Sequence, residues 1–142
     1  MTISRCDDAR VVRIAAAVIV NGRGQTLLVR KRGTRAFMQP GGKFAEGETA
    51  PIALTREIRE ELGCTVTGCR ALGRFRAPAA NEAGWSVEAE LFFVDLDGEV
   101  SPAAEIEEVL WRAPDDVDGL ELAPLTRDHV LPLVRTAAGR AA

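Results

Sequence analysis

Gly42-Lys43-Phe44-Ala45-Glu46-Gly47-Glu48-Thr49-Ala50-Pro51-Ile52-Ala53-Leu54-Thr55-Arg56-Glu57-Ile58-Arg59-Glu60-Glu61-Leu62-Gly63-Cys64 is the most informative stretch of this chain. Its second half reads as a helix. Thr49 stands at an N-cap position, and Pro51 falls in the first turn, where a missing N–H does no harm. Leu54, Ile58 and Leu62 recur every fourth residue and form an apolar stripe. Gly63 suits the C′ position, because glycine accepts the left-handed conformation that ends helices. A helix advances about 100° per residue, so Glu57, Glu60 and Glu61 fall within an arc of roughly 100°. Carboxylates grouped in this way repel one another, and they offer the oxygen ligands that a hard divalent cation takes. The bland alternative is a solvated face with Arg56–Glu60 as an i,i+4 ion pair.

The lead-in separates these readings. Phe37-Met38-Gln39-Pro40-Gly41-Gly42-Lys43 precedes the helix, and Gly41, Gly42 and Gly47 permit a tight loop and close approach of backbone to ligand. Loop and helix together resemble the signature of the Nudix hydrolase family. Gly42, Glu48, Arg56, Glu57, Ile58, Glu60, Glu61, Gly63 and Cys64 occupy its specified positions. Cys64 stands where an aliphatic residue is commoner, and a buried cysteine behaves as a small hydrophobe. The resemblance implies an α+β fold, a mixed β-sheet sandwiched between α-helices. It implies Mg²⁺-dependent attack of water on the diphosphate bridge of a nucleoside diphosphate linked to another group, with Mn²⁺ as the alternative ion. The cation would neutralise phosphate charge, orient the phosphates and acidify water. Residue by residue, Glu57, Glu60 and Glu61 match the metal-binding glutamates. Glu57 either ligates or helps to deprotonate water. Arg56 matches the arginine that orients a glutamate. Glu48 matches a supporting or occasional ligand, and the backbone near Gly42 lies close to the metal in relatives.

Family members also place a glutamate outside this box. Glu105, Glu107 and Glu108 are the candidates, and Glu105 is preferred because it precedes Trp111 with the spacing of the MutT branch. Arg30, Lys31, Arg32 and Arg35 before the loop, with Gly41 and Lys43 inside it, could form a phosphate-binding rim, or an ordinary solvated strand end. Trp85, Trp111, Phe75, Phe92 and Phe93 are read as core first and base-stacking second. The Pro-Gly-Gly-Lys loop is similar to that of the MutT branch, which converts nucleoside triphosphates, oxidised ones included, to monophosphate and pyrophosphate. The asparagine with which that branch reads a purine is replaced here by Leu122. The absence of tyrosine argues against the dinucleoside polyphosphate branch, and Ala80 stands where the ADP-ribose branch has proline. ADP-ribose hydrolysis and a non-catalytic nucleotide-binding module stay as alternatives; a prenyl diphosphate isomerase is disfavoured for want of a cysteine–glutamate arrangement.

The remainder sets the frame. With 142 residues, the chain suits one domain over residues 10–136, between a polar segment 1–9 and a tail 137–142. A net charge of −3 offers no general basic surface for a nucleic acid polymer, and neither a membrane span nor a signal-peptide pattern is visible. Cys6, Cys64 and Cys69 make no Cys-x-x-Cys pair, and the only histidine, His129, is isolated, which disfavours zinc and suits a reducing cytoplasm. Val11–Val20 and Thr26–Arg32 read as strands of a hairpin across Asn21-Gly22-Arg23-Gly24. Residues 65–77 read as a strand or bent pair broken near Gly73, 86–96 and 108–112 as strands, and 125–135 as a helix disturbed by Pro132. A homodimer is neither indicated nor excluded.

Overall fold

The computed structural model describes residues 10–141, with side chains for residues 10–137. The polar segment 1–9, Cys6 and Ala142 lie outside the described residues. Six strands are present: β1 (Val11–Val18), β2 (Thr26–Lys31), β3 (Gly41–Lys43), β4 (Thr65–Pro78), β5 (Ser86–Asp97) and β6 (Ile106–Arg112). Helix α1 spans Ala50–Leu62; a π-helical turn, Thr126–Val130, leads into α2, Leu131–Ala141.

β1 lies inside a four-stranded mixed sheet ordered β3-β1-β5-β4, with β1 and β5 parallel and the other pairs antiparallel. Successive side chains of a strand point to opposite faces. Ala15, Ala17 and Ile19 therefore pack with Leu54, Ile58 and Leu62 of α1, while Ala16 and Val18 pack with Leu125, Val130 and Val134 beside α2. Burial on both faces explains why β1 reads as an almost unbroken apolar run. The sheet is thus covered by a helix on each side, as expected from the sequence. Cys64 belongs to the α1-side core and is 1% exposed.

One expectation needs correction. β1 and β2 do not form a hairpin ladder: they meet only at the Val20–Thr26 bridge and at Leu27 N–H donating to Ile19 O, while β2 pairs with β6 in a separate two-stranded sheet. The turn between them is nonetheless real, closed by Asn21 Oδ1 accepting from the N–H groups of Arg23 and Gln25. Local turn chemistry reverses the chain, but the edges of β1 are already taken by β3 and β5. β3 itself, three residues within the glycine loop, was read as loop. β4 is a single strand whose register shifts between Val66 and Gly68 and between Ala71 and Gly73, so the break near Gly73 is a bulge. The last helix runs to Ala141, past the expected end at Arg135, and takes in most of the segment read as a tail. Pro132 sits directly after the π-helical turn, at the start of the α-helical stretch.

Candidate active site

Helix α1 sets the site. Thr49 holds the N-cap position with extended backbone, although its side chain makes no capping bond, and Gly63 ends the helix at φ 69° with its N–H on Arg59 O. The apolar stripe draws the helix onto the core and brings the neighbouring carboxylates down against the glycine loop. Glu61 is 2% exposed and accepts a hydrogen bond of 3.1 Å from Gly41 N–H. Burial, opposed by that one bond and reinforced by the charge of Glu57, pushes its carboxyl up to about 8. Burial also raises Glu57; Arg56 opposes the shift and Glu60 adds to it. They lie one helical turn apart on one row, and ionised together they would carry more negative charge than their partners balance.

The two glycines facing this row are required. A Cβ on Gly41, at φ 147°, would overlap Ala15 O and Ala16 Cα. A Cβ on Gly42 would land on the Glu57 carboxylate. The loop backbone therefore lies directly against Glu57 and Glu61, an approach that no side chain permits.

A few ångströms along the helix the charges are balanced. Arg56 Nε and Nη2 donate to the two oxygens of Glu48 at 2.7 and 2.8 Å, and Nη2 also donates to Lys43 O at 3.1 Å. Ala45 N–H donates to Glu48 as well. The Arg56 guanidinium, then the Ala45 N–H, hold the Glu48 carboxyl down at about 2, and Arg56 is raised in turn, chiefly by Glu48. Arg56 thus ties the loop to the helix, and Glu57 at 3.6 Å and Glu60 at 3.8 Å lie on its other side. Glu60 has a side chain 55% exposed and leans outward.

The loop before β6 supplies the third wall. Ser101 and Ala103 N–H cap the last carbonyls of α1, on Leu62 and Glu61, and Arg32 N–H donates to Glu105 O. Between these anchors Ala104 adopts φ 54°, the one positive-φ non-glycine among the described residues. A left-handed alanine costs roughly 1–2 kcal/mol, so the anchors over-determine it. Glu105 then faces Glu57, and its charge raises both Glu57 and Glu61. Lys31 Nζ lies 3.3 Å from Glu105 and opposes these shifts.

Glu57, Glu105, Lys31, Lys43 and the Gly41–Gly42 backbone open onto a cavity of about 380 Å³, whose far side is the 79–82 loop. Of the three candidates Glu105, Glu107 and Glu108, only Glu105 lines it; Glu82 lines it as well, from the 79–82 loop. Glu107 and Glu108 pair with Arg32 (3.6 Å) and Arg30 (3.2 Å). Arg30 also donates to Thr34 O, and Arg35 is exposed. Arg30, Arg32 and Arg35 thus stand outside the cavity wall, where sequence reasoning had placed a phosphate rim; Lys31 and Lys43 are on it. Nor do Trp85, Trp111, Phe75, Phe92 or Phe93 line this cavity. Gln39 and Asn81 do, and neither carries a sequence signal that would have found it. Leu122 pairs with Phe37 through a parallel bridge. A larger cavity, about 830 Å³, opens around the 21–24 turn, Cys69 and Arg70, and contains none of the α1 carboxylates. The chemistry singles out the smaller one.

The NUDIX domain model matches residues 10–134. The chain belongs to the Nudix family. A Mycobacterium tuberculosis relative provisionally named 8-oxo-dGTP diphosphatase 2 is 31% identical over 134 residues, covering 91% of this chain and 92% of the relative. An 8-oxo-dGTP diphosphatase of Haemophilus influenzae is 36% identical over 73 residues, or 49% of this chain. The chain spans 54% of that relative's length and 23% of a Mycolicibacterium smegmatis 8-oxo-(d)GTP phosphatase. Among solved structures, the E. coli ORF135 protein superposes with a TM-score of 0.69 at 25% identity, over 94% of this chain and 92% of that one. A Burkholderia pseudomallei MutT Nudix hydrolase gives 0.70 at 24% identity, over 87% and 95%, a likeness of fold. The Nudix fold expected from the box is thereby established, in its MutT-like form.

Nudix hydrolases are in general dependent on a divalent metal. The side chains here fit such an ion in kind. Glu57, Glu60, Glu61 and the loop carbonyls are all oxygen donors, and a cation beside the buried Glu61 would favour its ionised form. Among the described residues no three such side chains converge on one point, and Glu60 lies 3.8 Å from Arg56. Among the same residues, no helix is long and apolar enough to cross a membrane.

Proposed function

We propose that this chain is an Mg²⁺-dependent pyrophosphohydrolase that converts a nucleoside triphosphate to monophosphate and pyrophosphate, with an oxidised base among its substrates. The observation that carries this reading is Glu57 on the wall of a cavity that also holds Lys31, Lys43 and Glu105, with Glu61 buried one helical turn behind it. A binding module would gain nothing from so costly a pair. The names of the mycobacterial and Haemophilus relatives support the substrate class.

Glu57, Glu60 and Glu61, with the backbone at Gly42, would hold Mg²⁺, or Mn²⁺ in its place. Bound there, the ion supplies positive charge to the diphosphate and acidity to water. Lys43 and Lys31 would bind phosphate oxygens from the opposite wall. Glu105 accepts the proton of the attacking water; the water oxygen bonds to phosphorus while the bridging P–O bond breaks and pyrophosphate leaves with its electron pair. Arg56 and Glu48 do not touch the reacting atoms; they fix the loop against α1 and so position Glu57. The partner is a small nucleotide, and nothing in the reading requires a nucleic acid polymer, a membrane or a second copy of the chain.

A product assay by ion-exchange chromatography tests the proposal. The panel is the nucleoside triphosphates, 8-oxo-dGTP, ADP-ribose, NADH and diadenosine polyphosphates, with Mg²⁺ and with EDTA. Monophosphate and pyrophosphate from triphosphates, abolished by EDTA, is the expected result. Cleavage confined to ADP-ribose or a dinucleotide would refute the substrate class, and binding of a nucleotide without product would refute the hydrolase.

A further inference from the structure

A recess of about 70 Å³ opens off the acidic cavity; Ile14, Met38, Gln39, Ala80 and Val87 line both. Its walls are apolar except at the floor, where Gln39 (6% exposed) meets Thr126 (0% exposed). Thr126 is delivered there by the π-helical turn, a wide turn that re-aims side chains and recurs at functional sites. A carboxamide has two donors and two acceptor lone pairs. The Thr126 hydroxyl donates to Gln39 Oε1 at 2.9 Å, and Gln39 Nε2 reaches Ala17 O at 3.5 Å, the limit of a hydrogen bond. Ala17 O can only accept, so the nitrogen must face it and the oxygen must face Thr126. Among the described residues the other N–H of this amide, which lines the recess, has no partner, an arrangement that costs free energy unless a ligand accepts from it.

We propose that Gln39 determines base specificity: its N–H donates to a keto oxygen of the substrate's base, and Thr126 is the positioning residue that fixes the amide's orientation. This rests on the nucleoside triphosphate reading above. The recess is too small for a whole base and takes only an edge. Guanine and thymine present a keto oxygen on the edge where adenine and cytosine present an amino group, which would set donor against donor. A site built to hydrogen-bond a group discriminates far more sharply than an apolar pocket does.

The test is the ratio of kcat/KM for keto-base (dGTP, dTTP) over amino-base (dATP, dCTP) triphosphates, measured with Mg²⁺. The wild type should favour the keto pair by roughly tenfold or more. Gln39→Leu should collapse that ratio toward one, and Gln39→Glu, which replaces the donor by an acceptor, should invert it. Thr126→Val should narrow the ratio with kcat largely kept, and Thr126→Ser should restore it, which a merely structural role would not require. If Gln39→Leu does not fold, as judged by its melting curve, Gln39→Glu and Thr126→Val carry the test. A wild type that prefers amino bases, or variants that cleave triphosphates with the wild-type ratio, would overturn the inference while leaving the hydrolase reading intact. A wild type that cleaves no triphosphate would overturn both.

Discussion

Glu48 and Glu61 flank one helix and meet the same glycine loop, yet they lie at opposite ends of the carboxylate scale. Glu48 receives Arg56 on both oxygens and a backbone N–H besides, and is held down at about 2. Glu61 is buried, receives one backbone N–H, faces Glu57 and Glu105, and is pushed up to about 8. The first carboxylate has its counter-charge inside the chain and acts as a clamp. The second has only the Gly41 N–H and the more distant Lys31 against its burial, which is the basis for proposing that a cation completes it. The contrast suggests a division by partner supply along the helix: the carboxylate that the protein has already neutralised organises the loop, and those left in deficit are the ones proposed to bind the cation.

The hardest way to break this contrast is to remove a carboxylate proposed to hold the cation. Glu57→Gln and Glu60→Gln should each lower Mg²⁺-dependent kcat by about a thousandfold, since a metal's charge stabilisation is worth several kcal/mol and each tenfold is about 1.4. Glu60 is half exposed, so its variant should melt like the wild type; near-normal turnover in that folded variant would refute its role. Next comes Glu105→Gln, with an expected loss of about a hundredfold and disappearance of the acid limb from the pH–rate profile. A profile identical to wild type would remove Glu105 from the chemistry. Breaking the clamp should cost less: Arg56→Ala is expected to lose about ten- to a hundredfold, as supporting partners of metal ligands do. Retention of full activity would show that the loop holds its place without it.

The smallest effect sharpens the comparison by its sign. Glu61 has its folded-state carboxyl raised above the unfolded value of 4.5. The native state therefore binds more protons than the unfolded state between pH 4.5 and about 8, and stability from this group is present below 4.5 and lost as pH rises through 8. Glu48 is depressed, so its contribution is present above 4.5 and lost as pH falls toward 2. In EDTA, Glu61→Gln should flatten the alkaline fall and Glu48→Gln the acid fall, both read from melting temperature against pH. The same slope in variant and wild type would contradict the assignment.

Much of this was legible in the chain. The four-residue apolar repeat, Gly63 and the box placed α1 and its carboxylates, because helix periodicity is local and the motif is dense. The Asn21 turn was legible for the same reason. The β1–β2 hairpin was misread, since pairing is decided by which edges remain free, and β3 and β5 claim those of β1. Arg30 and Arg32 looked available because Glu108 and Glu107, which engage them, are remote in sequence. Gln39 and Thr126 carry no signal until the π-helical turn brings them to one recess.

The most direct measurement is the Mg²⁺-induced shift in melting temperature at pH 6 and pH 8.5, for the wild type and Glu61→Gln, without nucleotide. Ligation requires the deprotonated carboxyl, so stabilisation by the ion should grow with pH in the wild type and be largely lost in the variant. An equal shift in both proteins, or none at either pH, would contradict the claim that Glu61 is held in deficit for a divalent cation.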